Sequence, residues 1–353
     1  MLVILHSYRY TPCMKKNLVI VGAGFAGINT YKSLPYSVKK QCNITIIDKH
    51  NYFLFTPLLH EVATGALDNH HVVEPIGNIV GSEVTFIQDV ITSFDHSAQT
   101  ISLSQGEDME YDILVLAIGS QTNFFGTQGA EEKSFVLKNL KDAQNIRDNF
   151  ITRFQEASMM KTKEERKEHL STVIVGGGPT GVELAGEAAE LFFHTFKKQY
   201  AGSFDASEAE ITLVNAGTAL LQHFSSGSQY YSQRVLRDKG VTVLNDVRVT
   251  EITQEGVVTS EGETITAGTV VWAAGVTPQD ISCHSSIEKD RNRIRVEKTL
   301  QLVGHKNVFV LGDMALVETE SLIGYTMLAQ VAKQQGVQTA RNIERLLNDE
   351  ILY

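Results

Sequence analysis

Short runs of β-branched and aliphatic residues punctuate the chain, and several of them end on glycine. The stretches "NLVIVGAGFAGINT" (17–30) and "TVIVGGGPTGVELAGEAAE" (172–190) are each an apolar run, a G-x-G-x-x-G turn and then a helical pattern. This is the signature of a buried parallel strand feeding a helix. Two further runs, "DILVLAIGS" (112–120) and "GTVVWAAGV" (268–276), echo one another. The paired turns are offset by 154 residues and Gly119 and Gly275 by 156, so the pattern predicts a duplicated α/β unit. "LKDAQNIRDNFITRFQEASMMKTKEERKEH" (140–169), between the two halves, reads as a linking helix that ends in a charge run with a solvated face. "VQTARNIERLLNDEILY" (337–353) reads as a terminal helix.

Each turn has a physical purpose. Gly22 and Gly176 permit the tight bend, and Gly24 and Gly178 let backbone approach a pyrophosphate. Gly27 and Gly181 allow close helix–strand packing. The helix N-terminus that follows offers free N–H groups and a partial positive charge to an anion. One such turn also serves ordinary packing, but two in the same context point to two Rossmann-like dinucleotide-binding domains. The second strand of each unit should end in a ribose-binding residue. "NITIIDKHN" ends at Asp48, whose carboxylate accepts from ribose hydroxyls and repels a 2′-phosphate. "EITLVNAGT" ends at Asn215, which bonds a hydroxyl without that repulsion. No Arg or Lys follows within several residues, so NADH is favoured and NADPH is not excluded.

A length of 353 residues suits two domains. The net charge of −10 argues against a nucleic-acid binder and gives no help in adhering to anionic lipid. No apolar run approaches eighteen residues, and the opening "MLVILHSYRYTPC" is too short for a secretory signal. Met14 is the expected natural start, because a strand begins just after it. Cys13, Cys42 and Cys283 form no close pair, which argues against a metal site or a disulfide framework and fits a reducing cytoplasm.

The stretch "NVFVLGDMALV" (307–317), with Gly312-Asp313 at a strand end, resembles the second FAD signature of two-dinucleotide-domain flavoproteins. Because it follows the second repeat, the resemblance implies an NADH domain inserted into the FAD domain. The expected bounds are 14–125 plus 285–353 for FAD and 126–284 for NADH. The missing cysteine pair removes the reductase types that need adjacent redox thiols. "NYFLFTPLLHEVATGAL" (51–67), "GGGPTGVELAGE" (176–187) and "AQVAKQQG" (329–336) are similar to segments of the type II NADH dehydrogenases, the non-pumping NADH:quinone oxidoreductases. That resemblance spans residues 15 to about 345.

It implies FAD and NADH as cofactors and a quinone as acceptor; a soluble NADH oxidase or ferredoxin-type reductase on the same fold is the alternative. By resemblance, Val90, Ala117 and Gly119 lie along the FAD and Gly312 and Asp313 close over it, while Ala274 and Gly275 belong to the NADH side. Glu183 would sit beneath the nicotinamide, although a first-turn acid is also favoured by the helix dipole alone. Ala329 and Gln330 would face the flavin and quinone, with Lys333 one turn along; an exposed polar helix face explains the same residues. Two departures stand out: Gly77 follows Ile76 where the family usually has an arginine, and "GYTMLAQ" lacks the family's proline. The family's C-terminal amphipathic anchor has no counterpart before Tyr353, so the expected location is cytoplasmic, or peripheral on the cytoplasmic face of the inner membrane. A homodimer is compatible with this reading.

Overall fold

The structure, a computed structural model, describes residues 15–284, 286–318 and 324–353. Cys13, the expected start at Met14 and the expected boundary residue 285 lie outside the described residues. The chain forms two compact units. The first comprises the residues up to Tyr52, Pro75–Gly119 and Pro278–Tyr353; the second comprises Phe53–Glu74 and Ser120–Thr277.

In the first unit, five parallel strands lie in the order Val308–Val310, Ile113–Leu116, Lys16–Val21, Cys42–Asp48, Thr85–Gln88. The inner runs are buried on both faces, as a covered parallel sheet requires: Ile113–Leu116 is buried at every position, whereas the edge strand Thr85–Gln88 is not. Register pairs Val19 with Thr45 on one side and with Leu114 on the other. Helix Phe25–Ser33 packs against helix Ala329–Leu347. The contact is close because Gly336 has no side chain: a Cβ there would lie 2.5 Å from the Ala26 carbonyl oxygen.

The second unit repeats this plan. Its parallel order is Phe135–Val136, Thr269–Trp272, Ser171–Val175, Glu210–Val214, Thr242–Leu244. The segment between the repeats is two helices, Leu140–Ser158 and Lys163–Leu170, opened by capping boxes at Asn139 and Thr162. The first of these is no solvated linker. Ala143, Ile146, Phe150, Phe154 and Ala157, at three- and four-residue spacing, are buried in this unit's core. Phe154 packs there against the tilted rings of Phe192, Phe196, Tyr200 and Phe204. Residues 53–74, which the sequence reading assigns to the first domain, also pack here. Leu59, Val62, Ala63 and Val72 are buried in that same core, and their apolar face has more area to gain there than a short helix can supply alone. Among the described residues no helix is long and apolar enough to cross a membrane.

Candidate functional site

The two glycine turns share one backbone plan. Gly22 and Gly176 both have positive φ, +102° and +122°. A Cβ on Gly22 would lie 2.2 Å from the Ala117 carbonyl oxygen, and one on Gly176 would lie 2.5 Å from that of Ala273. Gly22 N–H donates to Ile47 O at 2.7 Å and Gly176 N–H to Val214 O at 2.8 Å. Gly27 and Gly181 let each helix sit on its own turn, with a Cβ otherwise about 2 Å from the carbonyl oxygens of Gly22 and Gly176. Gly24 and Gly178 differ from these. A Cβ at either meets nothing within 4 Å, so the space in front of each helix start is open. Neither start is capped by a side chain, which leaves amide donors directed at that space. Pro179 takes the first helical position of the second turn, where its missing N–H costs nothing. Open glycine and uncapped N–H groups fit the pyrophosphate of a dinucleotide in both units.

The strand ends differ. Asp48 accepts from Ala23 N–H at 2.7 Å and from His50 N–H at 2.8 Å, so it fastens the turn and its own strand end. Both oxygens keep lone pairs for a ribose hydroxyl. Asn215 is 9% exposed, and its amide nitrogen faces Gly217 O, Ala219 O and Asn245 Oδ1 at 2.9–3.1 Å. Its two N–H groups are thus committed to the protein.

In the first unit, the three-residue turn Gly312–Met314 follows strand Val308–Val310. Gly312 has φ +67°, and a Cβ there would stand 3.5 Å from Ala26 and 3.7 Å from Ala332. The turn therefore sits beside both the first helix and helix Ala329–Leu347. Ala117 is buried, Gly119 has φ +75° with open space at its missing Cβ, and Val90 is exposed. Ala329 opens its helix, and Gln330 and Lys333 are exposed on its first turn.

The second unit holds Glu183, on helix Pro179–Glu190, with about half of its side chain exposed. His60 Nδ1 lies 3.4 Å from Glu183 Oε2, and Glu61 lies 4.0 Å from the other ring nitrogen. Partial burial pushes the Glu183 carboxyl above its ordinary range; His60 pulls it back and Glu61 adds to the rise. Ala274 is half-buried against the unit's second core cluster, and a Cβ on Gly275 would collide with the Phe125 ring at 2.8 Å.

Three residues absent from the sequence reading matter here. His60 reaches Glu183 from 123 positions away, which no local pattern signals. Arg293, 7% exposed, donates to Ala315 O just past the Gly312–Met314 turn, and burial lowers its guanidinium while Asp313 raises it. Gln335 accepts from Gly312 N–H at 2.6 Å. Its place was readable: Ala332, Gln335, Gly336, Thr339 and Ala340 form one buried helical stripe with a glutamine in it.

The family model for pyridine nucleotide-disulphide oxidoreductases matches residues 16–336. The chain belongs to that family. A "Probable NADH dehydrogenase" of Dictyostelium discoideum is 34% identical over 343 residues, covering 94% of this chain and 74% of that protein. A "Type II NADH:quinone oxidoreductase" of Staphylococcus aureus is 30% identical over 342 residues, covering 95% and 84%. In fold, the chain is similar to the NDH2 of Plasmodium falciparum solved in complex with NADH, with a TM-score of 0.84 at 21% identity, covering 94% and 83%. The chain is thus a pyridine nucleotide-disulphide oxidoreductase of the type II NADH dehydrogenase kind. The family name mentions a disulphide, yet among the described residues Cys42 and Cys283 are free. Burial pushes the Cys42 thiol up to about 11, which holds it protonated and unreactive at neutral pH.

Proposed function

We propose that this chain oxidises NADH with a bound FAD and passes two electrons to a quinone. The observation that carries the reading is the pair of equivalent turns, each with an open glycine before an uncapped helix. The relatives named NADH dehydrogenase and NADH:quinone oxidoreductase support the choice of donor and acceptor. In this reading the first unit holds FAD and the second holds NADH. Gly24 with helix Phe25–Ser33, Asp48 and the Gly312–Asp313 turn hold the FAD; Val90, Ala117 and Gly119 line it. Gly178 with helix Pro179–Glu190, Ala274 and Gly275 hold the NADH. Bound FAD supplies a two-electron acceptor, so the protein needs no nucleophile.

The protein's own part is orientation, charge and protons. The helix starts neutralise phosphate, and the Asp313 carboxylate accepts from the cofactor's hydroxyls. Glu183, with its raised carboxyl and His60 beside it, retains a proton closer to neutrality than a free glutamate does. That is the property a proton carrier for quinone reduction needs. Gln330 and Lys333, exposed at the start of their helix, meet the quinone headgroup. The absence of a cation after Asn215 favours NADH over NADPH. A membrane quinone places the working enzyme at a bilayer surface, peripheral to it.

The test is steady-state NADH oxidation with soluble quinone, oxygen and ferricyanide side by side, together with flavin content. Fast turnover with quinone and one FAD per chain are expected. Turnover with oxygen alone would remove the quinone from the reading, and protein without flavin would remove the reading itself.

A further inference from the structure

The strand that leads to Asp313 stops making sheet hydrogen bonds one residue before the turn. Leu311 N–H donates to Leu116 O at 2.9 Å, the last bond of that ladder. The next amide, Gly312 N–H, is taken by the Gln335 side chain, Oε1 at 2.6 Å. On the far side of the turn, Arg293 Nε holds Ala315 O at 2.9 Å. Asp313 therefore lies between two fixed points, one a backbone amide and the other a backbone carbonyl.

Gln335 makes one hydrogen bond and strands one donor, so stability alone does not select it. It is 6% exposed, and its amide nitrogen has no partner among the described residues. A buried, unpaired donor weakens a fold. An apolar side chain of similar volume, such as leucine or methionine, would fill the place without stranding that donor, but would leave the Gly312 N–H without its acceptor. What only an acceptor does there is fix the peptide plane ahead of Asp313, at a glycine with φ +67° that has wide freedom otherwise. Thr339 offers an internal comparison. It lies one turn further along the same buried stripe, is 0% exposed and also has an unpartnered hydroxyl, so no hydrogen bond of its side chain holds the turn.

We infer that Gln335 is a positioning residue for FAD: its side-chain oxygen sets the Gly312–Asp313 turn in the orientation that receives the cofactor. The inference rests on the FAD reading of that turn. The experiment is FAD titration of apo protein, followed by flavin fluorescence and visible absorption, on wild type, Q335L, Q335E and T339V, with the thermal midpoint of each apo protein recorded. Q335L should bind FAD at least about 10-fold more weakly and show a blurred flavin spectrum, with an apo midpoint close to wild type because one unpaired donor replaces another. Q335E keeps an acceptor oxygen in either protonation state and should restore affinity to within about threefold and the wild-type spectrum. T339V should match wild type. A folded Q335L that binds FAD as tightly as wild type overturns the assignment, as does Q335E as weak as Q335L or T339V as weak as either. Should Q335L fail to fold, the Q335E and T339V comparison decides alone. Wild-type protein that takes up no FAD overturns the FAD reading and this inference with it, whereas intact wild-type binding beside an intact Q335L overturns the inference only.

Discussion

The two glycine turns share hydrogen bonds to within about a tenth of an ångström, yet the chain finishes them with different side chains. At the strand end Asp48 stands in one unit and Asn215 in the other. In the turn Ala23 stands opposite Gly177. On the following helix Asn29, bonded to Phe25 O at 2.7 Å, stands opposite Glu183, paired with His60. The shared part is what any pyrophosphate requires, a bend with positive φ and a bare helix start. The differing part is what each unit does with its own surroundings. Asp48 accepts N–H groups and keeps lone pairs outward, whereas Asn215 donates inward to three oxygens. In the proposed reading, the two units thus share a phosphate cradle and differ in the residues around it.

The largest expected effect comes from adding one methyl to each cradle. Gly24→Ala and Gly178→Ala meet no protein atom within 4 Å, so both apo proteins should keep their thermal midpoints. The methyl would instead occupy the space of the phosphates. Gly24→Ala should purify without flavin colour, and Gly178→Ala should keep its flavin while its NADH KM rises about 10-fold or more. If the two exchange phenotypes, the assignment of FAD to the first unit is wrong. Asp313→Ala should share the colourless phenotype of Gly24→Ala, since it leaves cofactor hydroxyls unpaired at about 1–3 kcal/mol each.

Exchanging the strand-end residues probes the difference between the units. Asn215→Asp would set a carboxylate against the oxygens of Gly217, Ala219 and Asn245. Asp48→Asn would turn an amide donor toward an N–H of Ala23 or His50. Each should lower the denaturation midpoint by about 1–3 kcal/mol of stability, with Asn215→Asp the more costly because the introduced group is charged and buried. Equal stability of wild type and Asn215→Asp would show that the inward network is not maintained in solution. Gly177→Ala belongs to the same contrast. Its Cβ would fall 2.5 Å from Asn215 Cγ and 2.8 Å from Leu220, whereas the first unit carries Ala23 at the matching place. A cost of about 1–3 kcal/mol is expected, and the double variant Gly177→Ala with Asn215→Ser should recover part of it. A recovery of nothing would mean that Leu220, and not Asn215, forbids the alanine.

Much of this was legible in the chain. The two strand–turn–helix units, their offset and the acid at Asp48 are local patterns, and local geometry alone produces them. The second unit's glycine at 177 was legible as a motif, but its reason was not, because Asn215 lies on another strand. The same holds for residues 53–74. Their segment resembles a family motif, yet which core buries Leu59 and Val62 depends on contacts with Phe150 and Leu184 far along the chain. The helix Leu140–Ser158 looked solvated because the charge run at 161–169 follows it directly; its five buried apolar residues suffice to anchor it. His60 and Gln335 escaped notice for a common reason. Each is an ordinary polar residue whose partner is set by tertiary packing.

The smallest expected effect concerns Glu183, the charged counterpart of Asn29. Its carboxyl is raised by partial burial first and by Glu61 next, against the pull of His60. A carboxyl with a raised folded pKa binds its proton more tightly in the native protein than in the unfolded chain. Native stability is therefore reduced as pH climbs through the window that opens at the ordinary carboxylate value, and the reduction is complete above the raised value. Below that window both states are protonated and nothing is lost. Glu183→Gln removes the charge and with it the loss. The variant should melt with wild type near pH 4 and slightly above it near pH 8, by less than about 1 kcal/mol, because nearly half of the side chain is exposed and solvent screens it. Asn29→Gln in the first unit has no carboxyl to discharge, so its difference from wild type should not change with pH. A Glu183→Gln difference of constant size from pH 4 to 8 would show that packing, not ionisation, separates the two helices at this position. A variant less stable than wild type at pH 8 would show that the His60 pair outweighs the burial, reversing the order of the three influences on that carboxyl.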